Sequence, residues 1–101
     1  QGFLGIEGVD VTSDSAQMYG MPEGVYVSGV IKGGGAEKAG ITKGSVITGL
    51  NGTTIDSMTT LQEQLQYYAA GTKVKLTLQV PGSGGNYKEQ TVEVTLGKNT
   101  Q

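Results

Sequence analysis

The spacing of apolar residues changes several times along the chain, and each change marks an element. Residues 3–11, FLGIEGVDV, carry Phe3, Leu4, Ile6, Val9 and Val11 and read as an extended entry segment. TSDSAQMYGM then predicts a helical turn or two, capped by Thr12 or Ser13 and stopped by Gly20. GVYVSGVI (24–31) alternates imperfectly but is rich in β-branched residues, which predicts a strand. KGGGAEKAGI reads as a glycine-rich loop feeding a short helix, Ala36 to Ala39. Gly40 stands just beyond that helix, and Ile41 is placed to fold back as its hydrophobic clasp. In SVITGLNGTTI two apolar runs flank Asn51-Gly52, the pair favoured where both turn residues need positive φ, so a tight hairpin is expected.

The period then lengthens. In SMTTLQEQLQYYAAG, Leu61, Leu65 and Tyr68 follow one another at helical spacing, with Met58 three residues before Leu61. This is one apolar face of an amphipathic helix, capped by Ser57 or Thr59 and ended by Gly71. KVKLTLQV (73–80) alternates with lysines outside and Val or Leu inside, PGSGG (81–85) turns, and YKEQTVEVTL (87–96) alternates again. The expected fold is α+β, mainly β: a partly open antiparallel barrel or sandwich of about five strands. One longer and one or two short helices cap it. Residues 1–101 read as a single domain with its core at about 2–96 and a frayed tail at 97–101.

Composition narrows the function more by what is missing than by what is present. Eighteen glycines among 101 residues punctuate short elements without any repeating period. The chain has no His and no Cys, and its seven basic residues are all lysines. Ser-His-Asp and Cys-His catalysis, Cys/His zinc sites and disulfides therefore cannot be built within it. Lysines interleaved with nine acids at a net charge of −2 do not form a nucleic-acid surface, and no apolar run has the length to span a membrane. GGGAEKAG lacks the spacing of a dinucleotide or phosphate loop. Asn51-Gly52-Thr53 matches a glycosylation sequon, but the hairpin already requires its first two residues. Glu7 and Asp10 are expected on different faces of an extended segment, and no serine sits in a nucleophile elbow. Catalysis by this chain alone is not expected, and no cofactor is implied.

One feature is left unexplained by packing: glycines at 2 and 5 bracket an apolar pair at the start of a strand, where they weaken it and expose backbone amides. Taken with GVYVSGVIKGGGAEKAGITKGSVITGLNGTTI, the amphipathic helix and GTKVKLTLQV, this FLGI resembles a PDZ domain. More narrowly it is similar to the C-terminal PDZ of bacterial HtrA/Deg-type, trypsin-like serine proteases, and the likeness runs from Gly2 to about Leu96. The phrase A-x-x-A-G-[IL]-x-x-G-x-[VI]-I-x-x-[LI]-N-G is the specific part. Gly34-Gly35 stand where the family usually shows Ser-Pro, and Ser45 where it shows Asp, neither position being expected in the groove. The order is the circularly permuted bacterial one, with the carboxylate loop first and the strand of residues 91–96 last.

The resemblance implies peptide binding. The loop Phe3, Leu4, Gly5 and Ile6 would hold a terminal carboxylate on backbone N–H groups, without any basic side chain. The strand Ile6, Glu7, Gly8 and Val9 would pair with the peptide main chain by strand addition. Leu4, Ile6, Leu61 and Leu65 would line the pocket for the last side chain, with Gln64 and Tyr68 edging the groove. The implied partners are protein C-termini, unfolded or mislocalised envelope proteins, and the parent's own protease domain. An extracytoplasmic, membrane-anchored parent is expected, with any targeting signal upstream. Two other readings compete: an assembly module whose groove is closed or unused, and an access filter of another membrane-associated peptidase.

Overall fold

The computed structural model describes residues 2–98 apart from Ser83 and Gly85; part of the expected turn at 81–85 and the last residues of the expected frayed tail lie outside the described residues. Among the described residues eight strands and three helices follow in the order β1 (Gly2–Phe3), β2 (Ile6–Val11), α1 (Ser13–Tyr19), β3 (Gly24–Val30), α2 (Gly35–Lys38), β4 (Val46–Leu50), β5 (Thr53–Thr54), α3 (Met58–Leu65), β6 (Lys73–Pro81), β7 (Tyr87–Thr95) and β8 (Gly97–Lys98). The main sheet runs β2-β3-β4-β6-β7, every neighbour antiparallel, with β5 attached to β4; β1 and β8 form a separate pair. This is the mainly-β, open antiparallel architecture that the alternating segments predict. Gly97 and Lys98, assigned to the frayed tail by sequence, instead pair with Phe3 and Gly2.

Local chemistry explains the punctuation. The helix α2 closes with the two bonds of a Schellman motif: Ile41 N–H donates to Ala36 O (3.0 Å) and Gly40 N–H to Glu37 O (3.1 Å), while both Ile41 and Ala36 are buried. Asn51 (φ 49°) and Gly52 (φ 84°) turn β4 into β5 as a tight hairpin. The Asn51 side chain also accepts from Lys75 N–H at 2.7 Å, which ties the turn to β6. Ser57 caps α3 by accepting from Thr60 N–H, but the helix stops at Leu65 rather than running on to Gly71. After it Tyr67 and Tyr68 donate back three residues, to Gln64 and Leu65, in a tightened last turn. Tyr68 packs half-buried on the core from beyond the helix end. The core gathers Val25, Val27, Ile47, Leu50, Ile55, Leu61, Leu76, Leu78, Val94 and Leu96 between the sheet and α3.

Candidate functional site

Hydrogen bonding along β2 decides which backbone groups are spent and which are free. Ile6 stands opposite Val30, yet the bond at that point runs from Ile31 N–H to Gly5 O (2.9 Å). Ile6 and Val30 are thus a non-bonded pair of the antiparallel ladder, and the N–H and C=O of Ile6 point away from β3. Gly8 stands opposite Val27, whose N–H and C=O are engaged instead by Ser45 O (2.8 Å) and Gly44 N–H (2.9 Å). Gly8 therefore also turns its polar groups outward, beyond a bulge between Glu7 and Gly8. Among the described residues nothing accepts from the amides of Leu4, Gly5, Ile6 or Gly8 on that outer side. The same edge lies against α3.

The loop that leads into β2 is braced from behind. Its carbonyls are used inward, Leu4 O accepting from Ala36 N–H (2.9 Å) and Gly5 O from Ile31 N–H, which leaves its amides on the other side. Gly5 has φ 85°, and a Cβ there would lie 3.0 Å from Gly34 Cα, so backbone meets backbone. Gly35 is held as closely, since its Cβ would collide with the carbonyl oxygen of Thr95. The Gly34-Gly35 departure from the family pattern, expected to lie clear of the site, thus abuts the FLGI loop directly. Among the four loop residues, Phe3 lies in β1 opposite Gly97, and Leu4, Gly5 and Ile6 carry the turn into β2.

The apolar residues assigned to the pocket come together on one side, at unequal depth. Leu4 (3% exposed), Leu61 (1%) and Leu65 (7%) are core residues; Ile6 and Tyr68 pack half-buried against the same core, and Gln64 on α3 is half-buried as well. Two contacts join the start of α3 to β2. Met58, at the start of α3, lies where a Cβ on Gly8 would be, its Sδ only 2.6 Å from that point. Asp10 Oδ1 accepts from Met58 N–H at 2.8 Å and pins the helix N-terminus to β2. Sequence reasoning missed both, although Asp10 shares with Ile6 and Gly8 the even positions that face α3. Among the described residues no group of three or more acidic side chains is placed to hold a metal ion.

The PDZ domain family profile matches residues 1–79. The chain is 38% identical over 102 residues to the periplasmic pH-dependent serine endoprotease DegQ of Escherichia coli K12, across 99% of this chain and 21% of that protein. It is 39% identical over 94 residues to the serine protease PepD of Mycobacterium tuberculosis, across 93% of this chain and 18% of that protein. The chain thus spans about a fifth of the length of these curated relatives. Among solved structures, the HtrA-type protease AlgW with decapeptide superposes with a TM-score of 0.80 at 22% identity, over 100% of this chain and 30% of that one. The HtrA3 PDZ domain bound to a phage-derived ligand (FGRWV) does so with 0.74 at 19% identity, over 95% of this chain and 85% of that one. Fold, family profile and named relatives agree: the chain belongs to the PDZ family, and its relatives are HtrA-type serine proteases.

Proposed function

We propose that this domain captures apolar protein C-termini for an HtrA-type serine protease. The peptide adds as a strand to β2, and its carboxylate rests on the amides of the FLGI loop. The observation that carries this reading is the outward set of N–H and C=O groups on Ile6 and Gly8, continuous with the free amides of Leu4 and Gly5 and flanked by α3. An edge of that kind pairs with an extended chain because each unmet backbone group gains a partner. Bonds to the charged carboxylate contribute about 1.5–3 kcal/mol each and backbone pairs about 0.5–1.5. The last side chain adds about 1.5–3 on burial. Set against an association cost of about 4–15 kcal/mol, the balance favours micromolar, reversible binding. The names of the relatives support an extracytoplasmic setting, where the substrates are unfolded or mislocalised envelope proteins and the domain delivers them to a catalytic domain of the same chain.

Near-complete burial of Leu4, Leu61 and Leu65 favours a second reading, in which the trough stays shut and the domain serves assembly. Under the first reading α3 shifts outward from β2 as the last side chain enters. Titration with peptides ending in valine, as free acids and as C-terminal amides, separates the two. Preferential binding of the acid, lost in Ile6→Asp while the fold persists by circular dichroism, supports capture. Equal affinity of acid and amide overturns it.

A further inference from the structure

An added strand has two faces, and only one of them meets α3. Even positions of β2 face the helix: Asp10 bonds to Met58, and the missing Cβ of Gly8 is occupied by Met58. Odd positions look the other way, where Val9, Tyr19, Met21 and Tyr26 line a cleft of about 370 Å³. Internal packing does not account for this apolar surface. The helix α1 buries none of its residues, Val9 is 56% exposed and Tyr19 69%. Large apolar side chains exposed together beside an open sheet edge mark a contact surface.

We infer that the domain reads both faces of a captured peptide, and that the Val9–Tyr19–Tyr26 cleft takes an apolar side chain four residues from the peptide's end. This rests on the strand-addition reading. With the last residue opposite Ile6, antiparallel register puts the third from the end opposite Gly8 and the fourth opposite Val9. A residue opposite Gly8 exchanges hydrogen bonds with it, so the next pair is the close, non-bonded kind, with Cβ atoms about 4.5–5.5 Å apart. The side chain opposite Val9 therefore projects onto Val9 itself, beside Tyr26, its ladder partner on β3. Asp10 is the one charged residue among those lining the cleft, and its carboxylate is tied to Met58 N–H, so the cleft accepts an apolar residue and disfavours an acidic one.

The test uses decapeptides ending in valine that differ only at the fourth residue from the end: leucine, alanine, lysine or aspartate. Each is titrated by fluorescence anisotropy against the native chain, Tyr19→Ser and Val9→Asp. The leucine peptide is expected to bind about tenfold tighter than the alanine peptide, the gain from burying most of one apolar side chain, with aspartate weakest. Tyr19→Ser should shrink that ratio several-fold and leave the alanine peptide unchanged, and Val9→Asp should turn the preference from leucine to lysine. Equal binding of leucine and alanine peptides, alongside a retained preference for free acid over amide, overturns this inference and leaves capture standing. Loss of the acid preference overturns both. Sedimentation that shows a native dimer broken by Tyr19→Ser, with peptide selectivity unmoved, assigns the cleft to self-association and overturns the inference.

Discussion

The two outer strands of the sheet, β2 and β7, face the same hazard and answer it differently. Among the described residues each pairs on one side only, β2 with β3 and β7 with β6. The nine-residue β7 carries Lys88, Glu89 and Glu93, all exposed, and Lys73 of β6 reaches Glu93 at 3.9 Å. Charges along an edge discourage a second chain from pairing there, because pairing would desolvate them. The shorter β2 is broken by Gly8 and a bulge, leaves its outer amides unmet, and has the apolar flank of α3 alongside. One edge is guarded by charge and the other is left open. An open strand becomes a site only when the surface beside it rewards a partner for extending along it.

The open side is the one expected to tolerate least change. Leu61→Ala removes a fully buried side chain from under α3 and should cost about 3 kcal/mol in urea unfolding, with acid-terminated peptide binding lost as the helix loosens. Gly5→Ala puts a Cβ at positive φ against the backbone of Gly34. A loss of about 2 kcal/mol is expected, and calorimetric titration should show peptide affinity falling by about tenfold or more. Asp10→Ala frees Met58 N–H and unpins the start of α3, for about 1 kcal/mol by chemical denaturation. On the guarded edge Glu93→Gln removes an exposed ion pair and should change stability by less than about 0.5 kcal/mol, without effect on peptide affinity. A stability loss at Glu93 equal to that at Leu61 would erase the distinction between the two edges.

Much of the fold was legible because its signals are local. The hairpin at Asn51-Gly52, the clasp of Ile41 on Ala36, the caps at Thr12 and Ser57 and the alternation of 73–80 each depend on a few neighbouring residues, and each is found where the pattern predicts. The extent of α3 was less legible. Tyr68 keeps the helical period, but its backbone has left the helix, because packing on the core is met equally well from a tightened turn.

The sequence by itself determined the antiparallel strands and the amphipathic helix, and with the resemblance it brought Leu4, Ile6, Leu61 and Leu65 to one place. Only the tertiary structure decided that Gly34 lies against Gly5, that Asp10 and Met58 tie α3 to β2, and that Val9 opens onto a cleft with Tyr19 and Tyr26. The physical reason is range. Turn, cap and period are set by steric and hydrogen-bonding preferences within a few residues, whereas these contacts join residues well beyond a turn or a helical period in sequence, brought together only once the sheet has formed its register.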